Sequence, residues 1–120
     1  MFDKFKNAAG DLALKSALEK YSHRIAEKLP ELTTLKAADV RDDARYHSGV
    51  VAPALAKVVT ASNGATRLIP DFDQRFARAM LHLRNQLVVI DESRDKVSLV
   101  PGYEARVNDV LLEGFSLGRK

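Results

Sequence analysis

Apolar residues recur along this chain at intervals of three and four over most of its length, and at intervals of two over one short stretch. Leu14, Leu18, Tyr21, Ile25 and Leu29 step by four, three, four and four. That spacing places five apolar side chains on one stripe of a helix. Lys15, Glu19, Lys20, His23, Arg24 and Glu27 fall off the stripe. Pro30 is expected to end the helix, because the residue before a proline is pushed out of the α region. Upstream, Phe2, Phe5 and Ala9 share helical spacing, Gly10 interrupts, and Asp11 can cap the helix that begins after it. A second helix is expected over 36–48, with Val40, Ala44 and His47 along one side. Gly49 and Pro53 argue against its continuing. A proline inside a helix costs about 3 kcal/mol, whereas in the first turn it costs little. A third helix is therefore expected to start at Pro53, carrying Leu55, Val58 and Val59. Ser62-Asn63-Gly64 would close it, since Asn and Gly tolerate the left-handed conformation of a C-cap.

The segment from Asp71 is the most regular. Asp71 with Gln74 three residues on has the form of a capping box. Phe72, Phe76, Ala79, Met80, Leu83 and Leu87 then build a broad apolar stripe over 71–86. Residues 87–90 are Leu-Val-Val-Ile and read as a strand, and 91–95 as a polar turn. Residues 96–100 alternate polar and apolar, the period of a half-buried strand, so the two runs form a hairpin. Pro101-Gly102 breaks the second strand. A last helix comes next, with Tyr103, Val107, Val110 and Leu111 inward and Phe115 continuing that face. The fold expected is mainly α: about five helices with one antiparallel β-hairpin before the C-terminal helix, in a single domain over 1–120.

Composition narrows the function. The 120 residues suffice for one core. Having no cysteine excludes disulfides and thiolate metal sites and suits a reducing compartment. No apolar run reaches membrane-spanning length and none has the form of a signal peptide, so a cytoplasmic protein without a membrane partner is expected. Nineteen basic against sixteen acidic residues give a net charge of +3. The sequence pI near 9.3 is one footprint of nucleic-acid binders, although the signs alternate along the chain.

Candidate chemistry is sparse. His23, His47 and His82 form no pair at i, i+4. Asp43 and His47 share that spacing, with Asp39 one turn earlier, and read as a helix-surface ion pair rather than a metal half-site. No nucleophile elbow, zinc-protease, P-loop or dinucleotide motif is present, and no carboxylate pair stands out. The expectation is a protein without catalytic residues, metal or cofactor. The basic aromatic start Phe2-Asp3-Lys4-Phe5-Lys6 could lie on a membrane surface, but packing onto the domain fits its narrow apolar face better.

The polar side of helix 71–86 is more informative. Arg75, Arg78, His82 and Asn85 fall at spacings of three, four and three, with Gln74 beside them. Arg, Gln and Asn are side chains that read base edges in the major groove, which is wide enough to admit a helix. Arg94 and Lys96 at the hairpin, and Arg67 ahead of the helix, are placed to meet phosphates. The alternative is an ordinary solvated helix face.

The order helix 53–62, turn, helix 71–86, strand, polar tip, strand, helix resembles that of winged helix-turn-helix domains, over about residues 53–115. Met80-Leu81-His82-Leu83-Arg84-Asn85-Gln86-Leu87-Val88-Val89-Ile90-Asp91 is similar to a recognition helix running into the first wing strand. Lys96-Val97-Ser98-Leu99-Val100-Pro101-Gly102 resembles the second wing strand and its exit. The resemblance implies a DNA-binding protein, such as a transcriptional regulator, contacting duplex DNA. It also implies a homodimer through the N- and C-terminal helices, with Leu14, Leu18 and Tyr21 meeting Val107, Leu111 and Phe115. The rival expectation is a non-enzymatic helical domain whose apolar faces dock another protein or a second copy.

Overall fold

A computed structural model describes residues 16, 19–61 and 65–117. The expectations for Phe2, Phe5, Ala9, Gly10, Asp11, Leu14, Leu18 and Ser62-Asn63-Gly64 lie outside the described residues. The first helix, α1, is described over 19–28, and its Tyr21, Ile25 and Ala26 are buried. The α-helix ends just ahead of Pro30, as expected, but the chain does not leave helical geometry there. A 3-10 turn, Leu29–Thr34, carries on with the proline near its start, where a missing N–H leaves nothing unpaired. The hydroxyls of Thr33 and Thr34 donate to the carbonyls of Pro30 and Glu31 at 2.6 and 2.7 Å.

Helix α2 spans Ala37–Arg41, and its start is capped from a distance. The carboxylate of Asp95, in the hairpin turn, accepts from the Ala37 N–H at 2.8 Å. Asp42 comes next in an extended conformation, and its carboxylate accepts from the Arg45 N–H at 3.0 Å. This is an N-cap for the next helix, α3. Helix α3 runs without interruption through Asp43–Tyr46, a π turn His47–Val51, and Ala52–Ala61.

The expected break at Gly49 and Pro53 is therefore absent, and the chain breaks at Asp42 instead. The π turn supplies the physical reason. The Ala52 N–H reaches back to the carbonyl of His47, which widens the helix just ahead of Pro53. A widened turn makes room for the proline ring where a regular turn would clash. Tyr46, Val51 and Val58, all nearly inaccessible, hold the widened helix in place.

A 3-10 turn, Ala65–Leu68, leads to helix α4, Phe72–Leu87. Asp71 holds the N-cap position, but its backbone is left-handed, φ 54°, and its side chain makes no capping hydrogen bond. The expected capping box is thus not formed. Aspartate tolerates this conformation better than most residues. Strand β1, Val88–Asp91, pairs antiparallel with β2, Lys96–Leu99, in the register Val88↔Leu99 to Asp91↔Lys96. Leu87 closes α4 rather than opening the strand, and its carbonyl accepts from the Val100 N–H at 2.9 Å. Helix α5, Tyr103–Leu117, completes the described chain. Five helices, with one antiparallel hairpin before the last, are the expected fold class.

Helices α4 and α5 pack antiparallel. Phe72, Phe76 and Phe115 form a ring cluster with centroids 5.6 to 6.3 Å apart. Opposite Ala79, α5 carries Gly114, which lets the backbones come close. On the other side of α4, the buried Tyr46 hydroxyl donates to the Met80 carbonyl at 2.9 Å. Burial pushes the Tyr46 phenol well above its ordinary value of 10.0, with the Arg84 charge opposing only in part. The folded state therefore holds the phenol proton more tightly than the unfolded chain does. Its contribution is intact below pH of about 10 and is lost as pH rises from there toward the raised folded value. Urea unfolding in alkaline buffers should show this loss. Tyr46→Phe should flatten the pH dependence, and an unchanged slope in that variant would assign the loss to other groups.

Candidate binding surfaces

Helix α4 places the predicted DNA-reading residues on two different flanks. Arg75 is buried: its guanidinium lies over the Phe115 ring, 5.4 Å from the centroid, and donates to the Phe115 carbonyl at 3.4 Å. His82 is mostly covered, with Nε2 3.1 Å from the Glu113 carboxylate. Both were expected on an open face, and α5 covers them instead. The cause is the close approach at Gly114, whose neighbours on α4 are Ala79 and His82.

The other flank stays open. Gln74, Arg78 and Asn85 are exposed and share one row with the half-buried Leu81, at steps of four, three and four. Arg67 is exposed in the turn before α4, and Arg94 and Lys96 are exposed in the hairpin. The two hairpin cations have acidic company. Arg94 lies 3.8 Å from Asp91, Lys96 pairs across the hairpin with Asp91, and Glu92 meets Arg41 at 3.0 Å. The Ser93 hydroxyl, bonded to Asp91, holds that carboxyl below its ordinary value, so it is charged at neutral pH. From Asp91 to Lys96 the hairpin carries three acids and two bases.

Arg84 is a buried cation that sequence reasoning passed over. Its guanidinium meets Asp43 at 2.8 Å, donates to the carbonyls of Val40 and Arg41, and stacks over Tyr46 at 5.1 Å. It also donates to the side chain of Asn85 at 3.3 Å. The signal was its position beside Leu83 and four residues after Met80, on the margin of the apolar stripe. Asp43 therefore pairs with Arg84 rather than with His47, and Asp39 pairs with Arg45. Among the described residues no cluster of His, Asp and Glu could hold a metal ion.

The side chains expected to form a dimer interface are largely taken up within the chain. Tyr21, Val107, Leu111 and Phe115 are all buried in its own core, and Leu14 and Leu18 lie outside the described residues. Among the described residues, no helix is long and apolar enough to cross a membrane.

A second surface, not anticipated from the sequence, lies between α1 with its 3-10 turn and α3. It is a groove of about 820 Å³. Ile25, Leu29 and Leu35 line one wall and Val50, Pro53 and Ala54 the other. Leu35 is 45% exposed, one of the few large apolar side chains so open. Gly49, in the π turn of α3, also lines the groove, and an added Cβ there would meet open space. Tyr21 also lines it, and its hydroxyl is buried with no hydrogen-bond partner among the described residues. An unpaired buried hydroxyl costs about 1–3 kcal/mol. Tyr21→Phe should therefore raise stability by roughly 1 kcal/mol in chemical denaturation. A loss of stability would mean that the hydroxyl has a partner in solution.

Among the described residues, the fold is mainly helical with a hairpin before the last helix, and its surface carries an open apolar groove and an open polar row. Compared with known proteins, the chain matches no protein-family model, no curated protein and no solved structure.

Proposed function

We propose that this protein is a non-enzymatic helical interaction domain that docks an apolar helical segment of a partner in the groove between α1 and α3. The observation that carries this reading is the groove itself: two apolar helical walls with Leu35 open at the edge. Laying an amphipathic helix into such a groove removes apolar surface from water on both partners, at about 25 cal/mol per Å². The test is selection of binders from a library of amphipathic helical peptides, followed by NMR mapping on the labelled protein. Shifts centred on Leu35, Val50 and Ala54 are expected. Peptides that map to another face would remove this reading.

A second reading is DNA binding, in keeping with the winged-helix resemblance. It is favoured by the open row Gln74, Arg78 and Asn85, which leads into the hairpin that carries Arg94 and Lys96, with Arg67 nearby. The excess of acids in that hairpin weighs against it, because phosphates are repelled by carboxylates. On this reading Arg78→Ala weakens binding to mixed duplex DNA by more than ~1 kcal/mol, and affinity falls steeply with salt. Arg75 and His82 would act only through stability. Undetectable binding at low salt would remove the reading.

A further inference from the structure

We infer that the helix docked in the groove carries one neutral hydrogen-bond acceptor within its apolar stripe, which accepts from the Tyr21 hydroxyl; this rests on the groove's being a docking site. Tyr21, on α1, lines the floor of the groove with Leu32, Val58 and Met80, all 1 to 3% exposed. These three neighbours are apolar, and the hydroxyl is left without a partner among the described residues. Buried side-chain polar atoms are nearly always paired. The chain's other fully buried phenol, Tyr46, follows that rule and donates to the Met80 carbonyl at 2.9 Å. Tyr21 departs from it at the one place where the core meets an open apolar groove.

A phenylalanine would fill the same space without an unpaired donor. In the free chain the hydroxyl costs stability, and an acceptor brought in through the groove turns that cost into a contact. The hydroxyl is out of contact with water, so the acceptor has to press in between α1 and α3 to reach it. That calls for a long, uncharged side chain. A carboxylate taken to the same depth would lose more hydration than one hydrogen bond returns. Glutamine has the reach and an amide oxygen. Elsewhere along the stripe the same amide would be buried unpaired and would weaken docking, so the hydroxyl fixes the register of the bound helix.

The test uses a synthetic amphipathic helical peptide with Met at every stripe position, and a series in which Gln replaces one Met at a time. Each is titrated into the whole chain and into its Tyr21→Phe variant by fluorescence anisotropy. Against the whole chain, one Gln peptide should bind at least as tightly as the all-Met peptide while the rest bind more weakly. Against Tyr21→Phe, that one peptide should lose about fivefold in affinity, and the all-Met peptide should be unchanged. Leu35→Ala should weaken the whole series. Binding that is sensitive to Leu35→Ala but shows no Gln position sensitive to Tyr21→Phe would overturn the buried acceptor and leave the groove reading intact. An equal loss by the all-Met peptide on Tyr21→Phe would overturn it too, because the hydroxyl would not be what the amide meets. Absence of binding by the whole series, or binding indifferent to Leu35→Ala, would overturn both.

Discussion

Gly114→Ala should destabilise the protein by about 3 kcal/mol, although alanine is the better helix former. In an open helix the same substitution would gain roughly 1 kcal/mol. Here the added Cβ would sit 2.6 Å from the Ala79 Cα, 3.1 Å from the Ala79 Cβ and 3.2 Å from the His82 Cβ. The nearest atom is backbone, so no side chain can swing aside. Helices α4 and α5 would have to part, loosening the Phe115 cluster and uncovering Arg75. Against a typical total of about 5–15 kcal/mol the loss is large. In thermal unfolding it should appear as a drop on the order of 10 °C. A midpoint equal to or above that of the parent protein would show that the helices do not approach this closely in solution.

Phe115→Ala should cost about as much or more, roughly 3–5 kcal/mol. Phe115 is 1% exposed and completes the ring cluster with Phe72 and Phe76. Its ring also faces the Arg75 guanidinium. Deleting it leaves a cavity and removes the surface on which a buried cation rests, so two penalties combine. Phe115→Leu should recover a good part of the loss, because most of the volume returns while the cation–ring contact does not. Urea denaturation of both variants measures the difference. A Phe115→Ala variant within 1 kcal/mol of the parent, a threshold near the middle of ordinary substitutions, would place Phe115 outside the core.

These two positions also decide how the polar side of α4 is read. Arg75 and Arg78 are one turn apart, of the same residue type, and equally suited to a base edge or a phosphate. Phe115 covers the first, and the second faces solvent. Arg75 does sit beside Phe76 and four residues before Ala79, on the margin of the apolar stripe as Arg84 is at its other edge, but a margin position by itself does not say that a second helix will cover it. The difference comes from the line along which α5 docks, and Gly114 allows that line.

Much of the architecture was legible in the chain itself. The steps of three and four in Phe72, Phe76, Ala79, Met80, Leu83 and Leu87 fix a helix whose buried face is that stripe, because only helical geometry brings those positions together. The alternation at 96–100 and the β-branched run before it fix a hairpin for the same kind of reason. Periodicity is a local property, so it reports which side of an element leaves water. It does not report which distant segment arrives there. The passage of α3 through Gly49 and Pro53, the capping of α2 by Asp95, the burial of Arg75 and Arg84, and the groove between α1 and α3 all depend on contacts between residues far apart in sequence. Such contacts form only when whole elements pack, and there burial and steric fit outweigh the small preferences of single residues. The elements were thus written in the sequence, and their open and covered flanks were settled by the packing of one helix on another.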